Sequence, residues 1–499
     1  MGIADLWKLL EQSERKFSLE QLSCHANKNG KSLRVAIDVA LWSFQARASV
    51  VGDCSELRAM FFRFCRLYEY GIRPVFVFDG PHRPRYKRNK EINTTPSHTK
   101  FTRDLKKLIK HFNFSMWEAY GEAEAECALL ERLGFVDIIL TGDSDVFLFG
   151  GRHVVRRWPK ERQEQLACYD LQWIFDTTKL DRSDLILIGL LRGSDYDTHG
   201  TKGIGIDSSS QLTKCHLHHQ IMDDIQLFGR DYRLDDERVQ HLFDDLTYEI
   251  HHNTYGHLTR KRSNVVLDAK FFDFSIVIDF IHPKTRIGSI KSDDIELAQQ
   301  LEKNLSYHYE PDWLDLAVFT QVSFKWPAEY LLKRFSSVLY PGFMANKLRR
   351  QQPSFKKKRP NGPQSSTQDS VTLSQQEEFY QSSLVSHTKE SSEDDLIKIT
   401  QSKMSSDDIQ LYRVEWNKST FEAFQQIVQL KLNWLDFQDT DVDLLQETQQ
   451  VDPFLSVKRQ WVDANYIHYT YPSIALEYQN QQKKNSNSFL ILPSKRNAN

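Results

Sequence analysis

What the 499-residue chain lacks narrows its class before any motif is read. Its six cysteines, Cys24, Cys54, Cys65, Cys127, Cys168 and Cys215, include no Cys-x-x-Cys pair, and all lie in the first half. That pattern argues against a disulfide scaffold or a thiolate zinc module and points to a reduced, intracellular protein with free thiols. No apolar run approaches a membrane span; Leu185–Leu191 is among the longest and is far too short. The opening MGIADLWKLLEQSERKF lacks the basic-then-apolar order of a signal peptide, and Leu6 stands where a myristoylation signal needs Ser or Thr. No internal repeat is present. Charge of one sign is missing too: the formal net charge is −2, so any polyanion-binding surface must come from local clustering.

What remains is 40% hydrophobic and 12% aromatic, long enough for two or more domains. Three short apolar runs, Leu33–Ile37, Val75–Phe78 and Val136–Leu140, read as buried parallel strands. Amphipathic stretches between them, Glu56–Tyr70 and Glu122–Leu133, read as helices, giving an α/β fold with a mainly parallel twisted sheet flanked by helices. After Arg350 the chain becomes polar and rich in Ser and Gln, so residues 346–395 are expected to be a disordered linker. Apolar patterning resumes over 396–480, and 481–499 reads as a polar tail.

Each strand candidate is followed by acid. Asp38 and Asp79 come directly after theirs, and Asp143 and Asp145 follow Leu140 by one turn. In an open parallel sheet ligands bind beyond the carboxyl ends of the strands, so three strands delivering carboxylates to one edge point to a site. If locally extended, Asp143 and Asp145 face the same side. GEAEAEC adds Glu122, Glu124 and Glu126. A regular helix puts Glu122 and Glu126 on one face, not Glu122 and Glu124. The latter two converge only if Glu122 sits at a helix start, where Gly121 permits unusual backbone angles. Asp195 and Asp197 follow an apolar helix and a Gly-Ser turn. So many carboxylates repel one another unless divalent cations neutralise them, and oxygen-only donors select Mg²⁺ or Mn²⁺. Two such ions roughly 3.5–4 Å apart drive phosphodiester hydrolysis, so the chemistry points to a metal-dependent nuclease.

Between Asp79 and Glu122 the chain turns basic. From Arg83 to Lys110 ten Lys and Arg, including Arg85, Lys87, Arg88, Lys106 and Lys107, stand against Glu91 and Asp104. Flanked by the acids, this segment reads as a phosphate-gripping element. Backbone amides of the glycine-rich His199–Gly205 turn could hold a phosphate at a helix start. The patches Cys215–His219 and His251–His257 have no further ligand at metal spacing within a helix and are read as exposed or packed histidines.

In order along the chain, MGIADLW, RVAID, PVFVFDG, YGEAEAECALL, TGDSDVFLFG and GSDYDTHGTKGIG resemble the XPG/flap-endonuclease superfamily over residues 1–345. DLAVFTQVSFKWPAEYLLKRFSSVLYP resembles the end of the nuclease domain in its GEN-type Holliday-junction resolvases. The resemblance implies a PIN-like nuclease domain over 1–345: an N-terminal part (1–95), a basic helical arch (83–116) and an internal part (117–345). The internal part would include a helix–two-turn–helix near 195–215. It implies seven catalytic, metal-holding acids: Asp38, Asp79, Glu122, Glu124, Asp143, Asp145 and Asp195. Glu126 and Asp197 fall outside that set. It also implies DNA contact by the Lys202, Gly203 and Gly205 turn, with K⁺ there, and Gly2 beside the active site once Met1 is removed. Ile206–Ser210 departs from the family's usual lysine after the second glycine.

The clamp-binding motif of flap endonucleases is absent, since Leu373 and Gln376 stand where Gln and an aliphatic residue would be. The Asp79–Glu122 interval is short for a cap that threads a free 5′ end. The strand pattern Leu411–Trp416, with Arg459–Trp461 and a helical Ile474–Tyr478, resembles a divergent chromodomain such as the GEN type carries. The expected function is thus resolution of four-way junctions by paired symmetric nicks, in recombination and repair. Two Mg²⁺ ions serve, with Mn²⁺ able to substitute. The enzyme would be a monomer when free and a homodimer on a junction, with flaps and replication forks as further substrates and no membrane partner. A 5′-flap or gap nuclease and a non-catalytic junction-binding protein are the alternatives. Lys356–Arg359 suggests nuclear import.

Overall fold

Seven strands form the central sheet: β1 (Arg15–Phe17), β2 (Arg34–Asp38), β3 (Arg73–Phe78), β6 (Ser115–Glu118), β7 (Ile138–Leu140), β8 (His153–Val155) and β9 (Leu166–Asp170). A two-stranded hairpin, β4 (Tyr86–Lys87) and β5 (Lys90–Glu91), stands apart from it. The structure is a computed structural model that describes residues 2–28, 32–47, 54–83, 86–87, 90–91, 99–159, 164–196, 200–231, 236–268, 271–286, 292–306, 310–351, 395–405, 409–430, 432 and 452–489. The strand order is β1-β9-β8-β7-β2-β3-β6. β6, β3, β2, β7 and β8 run parallel, β9 runs antiparallel to them, and β1, antiparallel to β9, forms the far edge. The three sequence-predicted strands are therefore adjacent, in the order β7-β2-β3.

Their composition explains the placement. Val35, Ala36 and Ile37 of β2 and Val75, Phe76 and Val77 of β3 are buried, as central parallel strands covered by helices require. Register sets the functional edge: Ile37 lies opposite Phe76 on one side and Leu140 on the other, and Asp38 lies opposite Val77. Helix Ala123–Arg132 packs on β2, β3 and β7. Helix Arg182–Arg192 begins with a capping box between Asp181 and Asp184 and buries Leu185–Leu191 completely. Gly193 ends it, and helix Ile206–Thr213 follows the Gly200–Gly205 stretch, the interval in which a helix–two-turn–helix is expected.

The chain divides into two units: 1–25, 32–60 and 72–309 in one, 26–31, 61–71 and 310–499 in the other. The second contains helices Trp313–Phe324, Ala328–Val338, Tyr340–Gln351 and Lys418–Gln429. It also holds an antiparallel sheet of β10 (Leu396–Met404), β11 (Gln410–Trp416) and β12 (Arg459–Asp463), and helices Ala464–Thr470 and Pro472–Phe489. Pro327 caps the helix after the buried Trp326. Rings of Phe61, Phe324, Trp326 and Phe335 form one aromatic core, and Trp313, Phe343 and Phe424 a second.

Several sequence boundaries need correction. Residues 346–351 are not linker: they complete helix Tyr340–Gln351, and Asn346, Lys347, Leu348 and Arg349 are buried. Lys347 Nζ donates to Asp395 at 2.5 Å and Arg349 Nη1 to the Glu69 carbonyl at 2.9 Å. Residues 352–394, with Lys356–Arg359, lie outside the described residues. The segment expected as a separate chromodomain-like module belongs to one unit with residues 310–351. Its last helix runs to Phe489, nine residues into the expected tail, because nothing after Pro472 breaks it. The expected arch, 83–116, contains the β4–β5 hairpin and helix Lys100–His111 and overlaps β6 at Ser115. Among the described residues no helix is long and apolar enough to cross a membrane.

Candidate active site

Asp38 is the last residue of β2, and its Oδ1 accepts the amide of Ala40 at 2.9 Å. Asp79 follows β3 by one residue. Its Oδ1 accepts the amide of Ala123 at 3.1 Å, which seats the start of helix Ala123–Arg132 on the sheet edge. Glu122 is the N-cap of that helix, with φ −82° and ψ 139°, and Glu124 lies in its first turn. This change from extended to helical backbone lets two glutamates at a two-residue spacing share a site. The sequence reading placed the needed freedom at Gly121, but its φ is unexceptional. The required glycine is Gly80, where a Cβ would stand 2.0 Å from the Ala119 carbonyl oxygen and 2.3 Å from that of Tyr120. Gly80 N–H donates to the Gly121 carbonyl at 2.7 Å, closing the strand end against the helix start.

Asp143 and Asp145 converge by a different route from the extended one expected. Asp143 caps a 3₁₀ turn over Ser144–Phe147, accepting the Asp145 amide at 3.2 Å. Both carboxylates meet the start of the chain. Ile3 N–H donates to Asp145 Oδ1 at 3.0 Å and to Ser144 Oγ at 3.1 Å. Gly2 has φ +82°, and a Cβ there would lie 2.3 Å from Asp143 Oδ1 and 2.4 Å from Asp145 Oδ1. Asp195 is buried, and its neighbour Tyr196 donates its hydroxyl to Glu122 Oε2, tying that loop to the helix entry.

Six of the seven acids are buried, and Asp79, with its side chain 28% exposed, is the open one. Their combined field reaches Cys127 on the same helix: burial first, then Asp38, Glu124, Glu126 and Asp79, push its thiol well above the ordinary range. Glu126 points elsewhere. It is fully buried, accepts Trp117 Nε1 at 3.0 Å and the Arg286 amide at 3.1 Å, and is raised chiefly by desolvation. Its role is to join β6, the helix and the 286 segment.

The expected DNA contacts divide. Arg83 pairs with Asp79 at 2.9 Å, Lys106 with Glu118 at 2.6 Å over the Phe78 ring, and Lys107 with Asp104 at 4.0 Å. On helix Lys100–His111 the exposed face carries Arg103, Lys107 and Lys110, while Leu105, Leu108 and Ile109 are buried beneath. Arg85 and Arg88 lie outside the described residues, and Lys87 lies in β4. Lys202, Gly203 and Gly205 are exposed at the turn. The Gly203 carbonyl there accepts Arg262 Nη1 at 2.8 Å, and Ser208, in the departing Ile206–Ser210 stretch, accepts Nη2 of the same arginine at 2.6 Å. Tyr196, Ser144, Gly80 and Arg262 escaped the sequence reading because each acts through a contact distant in the chain.

Residues 1–100 match the XPG N-terminal domain and 113–195 the XPG I-region, and these two segments hold all seven acids. Over those two segments the chain is similar to the XPG family. It is 33% identical over 255 residues to Flap endonuclease GEN-like 1 of Arabidopsis thaliana, covering 46% of this chain and 41% of that protein. With Flap endonuclease GEN homolog 1 of Mus musculus the identity is 30% over 233 residues, 42% of this chain and 25% of that protein. The chain thus spans less than half the length of these curated relatives. A solved structure of a eukaryotic junction-resolving enzyme GEN-1 binding with potassium superposes with a TM-score of 0.69 at 23% identity, over 96% of this chain and all of that one. The Holliday junction-resolving enzyme GEN1 in complex with product DNA and Mg²⁺ gives 0.66 at 24% identity, over 95% and 99%. The likeness in fold to these solved structures therefore takes in residues of both units.

Proposed function

We propose that this chain is a divalent-metal-dependent endonuclease of the XPG type that resolves four-way DNA junctions by paired nicks. The observation that carries the reading is the gathering of Asp38, Asp79, Glu122, Glu124, Asp143, Asp145 and Asp195 at the carboxyl edge of β7-β2-β3. The donor set fits hard cations: it is all oxygen and mostly buried, so its negative charge has little water to screen it. Two Mg²⁺ or Mn²⁺ ions held there supply an activated water and stabilise the leaving oxygen of a phosphodiester. The chain's own residues do the positioning. Ile3 N–H fixes Asp145, the Ala123 amide fixes Asp79, and Tyr196 orients Glu122. The bare Cα of Gly2 lets the chain start lie against Asp143 and Asp145. Arg103, Lys107 and Lys110 offer one charged helix face to a phosphate backbone, and Lys202–Gly205 a second contact. Thr201 Oγ1, buried without a hydrogen-bond partner among the described residues, suits K⁺ at that turn.

A junction has two symmetric strands to cut, so two copies act on it, one nick each. The C-terminal sheet and helix serve as a chromodomain-like module, and the enzyme works in the nucleus. Flap cleavage is the second reading, favoured by the names of the curated relatives. An immobile four-way junction and a 5′ flap, each 5′-labelled and incubated with Mg²⁺, separate them. Paired symmetric nicks in the junction support the proposal. Incision of the flap alone supports the second reading, and binding without cleavage overturns both.

A further inference from the structure

His218 begins helix His219–Phe228 and is fully buried, yet neither ring nitrogen makes a hydrogen bond among the described residues. Its Nε2 nonetheless lies 3.2 Å from Asp184 Oδ1, misaligned for a bond. His219 Nε2 lies 3.2 Å from the same oxygen. Asp184 is buried at the first turn of helix Arg182–Arg192. The Asp181 amide occupies its other oxygen, Oδ2, at 2.9 Å, leaving Oδ1 to the two imidazoles. The three ligand atoms all lie within 4.8 Å of one another.

The buried His218 ring sits at bonding distance from this oxygen without the alignment of a hydrogen bond, and the spacing of the three groups suits coordination. Around a tetrahedral ion with bonds of roughly 2.0–2.1 Å, neighbouring ligand atoms stand about 3.3 Å apart. We propose that Asp184, His218 and His219 bind a zinc-class divalent cation, separate from the carboxylate site and distinct from it in chemistry. Nitrogen donors favour Zn²⁺ over Mg²⁺, whereas the all-oxygen set does the reverse. Water would complete a four-coordinate shell. His216 lies beside His219, with Nδ1 3.4 Å from its Nε2 and a left-handed backbone at φ 55°.

The position gives the ion a purpose. Asp184 precedes the Gly200–Gly205 turn and the two histidines follow helix Ile206–Thr213, so one ion ties together both flanks of the helix–turn–helix. It is a structural clip, and its absence loosens that hairpin without removing a catalytic group.

The test uses the full chain, stripped with chelator and titrated with Co²⁺ in excess Mg²⁺, which keeps the carboxylate site filled. The expected result is one equivalent of the intense visible absorption of four-coordinate cobalt, abolished by one equivalent of Zn²⁺ and at least tenfold weaker in His219→Gln. His219 is partly exposed, so that variant should fold; circular dichroism checks it. A wild-type spectrum with only weak six-coordinate bands, or a band unchanged in His219→Gln, overturns the proposal. X-ray absorption of the zinc-loaded wild type needs no variant: a shell of two imidazoles and oxygen supports the site, and an all-oxygen shell refutes it.

Discussion

The Ile3 amide reaches across 142 residues to Asp145, donating to Oδ1 at 3.0 Å. This bond makes the start of the chain part of the carboxylate site. Gly2 is the residue that permits it, because φ +82° is strained for any side chain and a Cβ would collide with Asp143, Ser144 and Asp145. Gly2→Ala should lower kcat/KM on a junction by at least about tenfold, equivalent to about 1.4 kcal/mol of lost transition-state stabilisation. Steady-state cleavage together with a melting curve checks this; unchanged cleavage would separate the chain start from the chemistry.

Glu124 and Glu126 lie two residues apart and make opposite predictions. Glu124→Gln should abolish Mg²⁺-dependent cleavage and leave folding intact. Glu126→Ala leaves Trp117 Nε1 and the Arg286 amide without their buried acceptor, a loss of about 1–3 kcal/mol in stability, while Glu126→Gln should keep cleavage near wild type. Cleavage rates and denaturant midpoints for the three variants decide it, and a cleavage-dead but stable Glu126→Gln would contradict the division.

The exposed face of helix Lys100–His111 is testable through salt. Replacing Arg103, Lys107 and Lys110 together by Gln should reduce the slope of log K against log salt by up to about 2–3. Lys106→Gln should leave the slope nearly unchanged, because Lys106 is engaged with Glu118. Equal effects of the two would mean that the helix does not present one phosphate-binding face.

His153 supplies a pH signature remote from catalysis. Its Nδ1 lies 2.7 Å from Glu131 and its Nε2 2.9 Å from Asp170, and the Glu131 hydrogen bond chiefly raises its pKa above the usual 6.5. A raised folded-state pKa gives stability that is complete below about 6.5 and is lost as pH rises through the folded value. Melting temperature should therefore fall over that interval in wild type, and His153→Asn should remove this component. Parallel pH–melting profiles in the two proteins would contradict the assignment.

The sheet and its acids were legible because each central strand is a short apolar run with Asp at its end or within a few residues of it, a purely local signal. The helix start at Glu122 was legible too, but the close approach of Gly80 to the Ala119 and Tyr120 carbonyls was not, because it joins segments distant in the chain. Charge alone also misled. Lys347 and Arg349 look like linker residues but are buried because Asp395 and the Glu69 carbonyl receive them. Likewise, Cys215–His219 lacked a further ligand only within its own helix; Asp184, in an earlier helix, stands beside it.

The central claim is that the carboxylates at the β7-β2-β3 edge form one metal-dependent cleavage site. Asp38→Asn tests it most directly, with junction cleavage and junction binding measured on the same preparation in Mg²⁺. The account predicts binding within about twofold of wild type and cleavage reduced by at least about a thousandfold, some 4 kcal/mol in activation free energy. Wild-type cleavage by Asp38→Asn would contradict it.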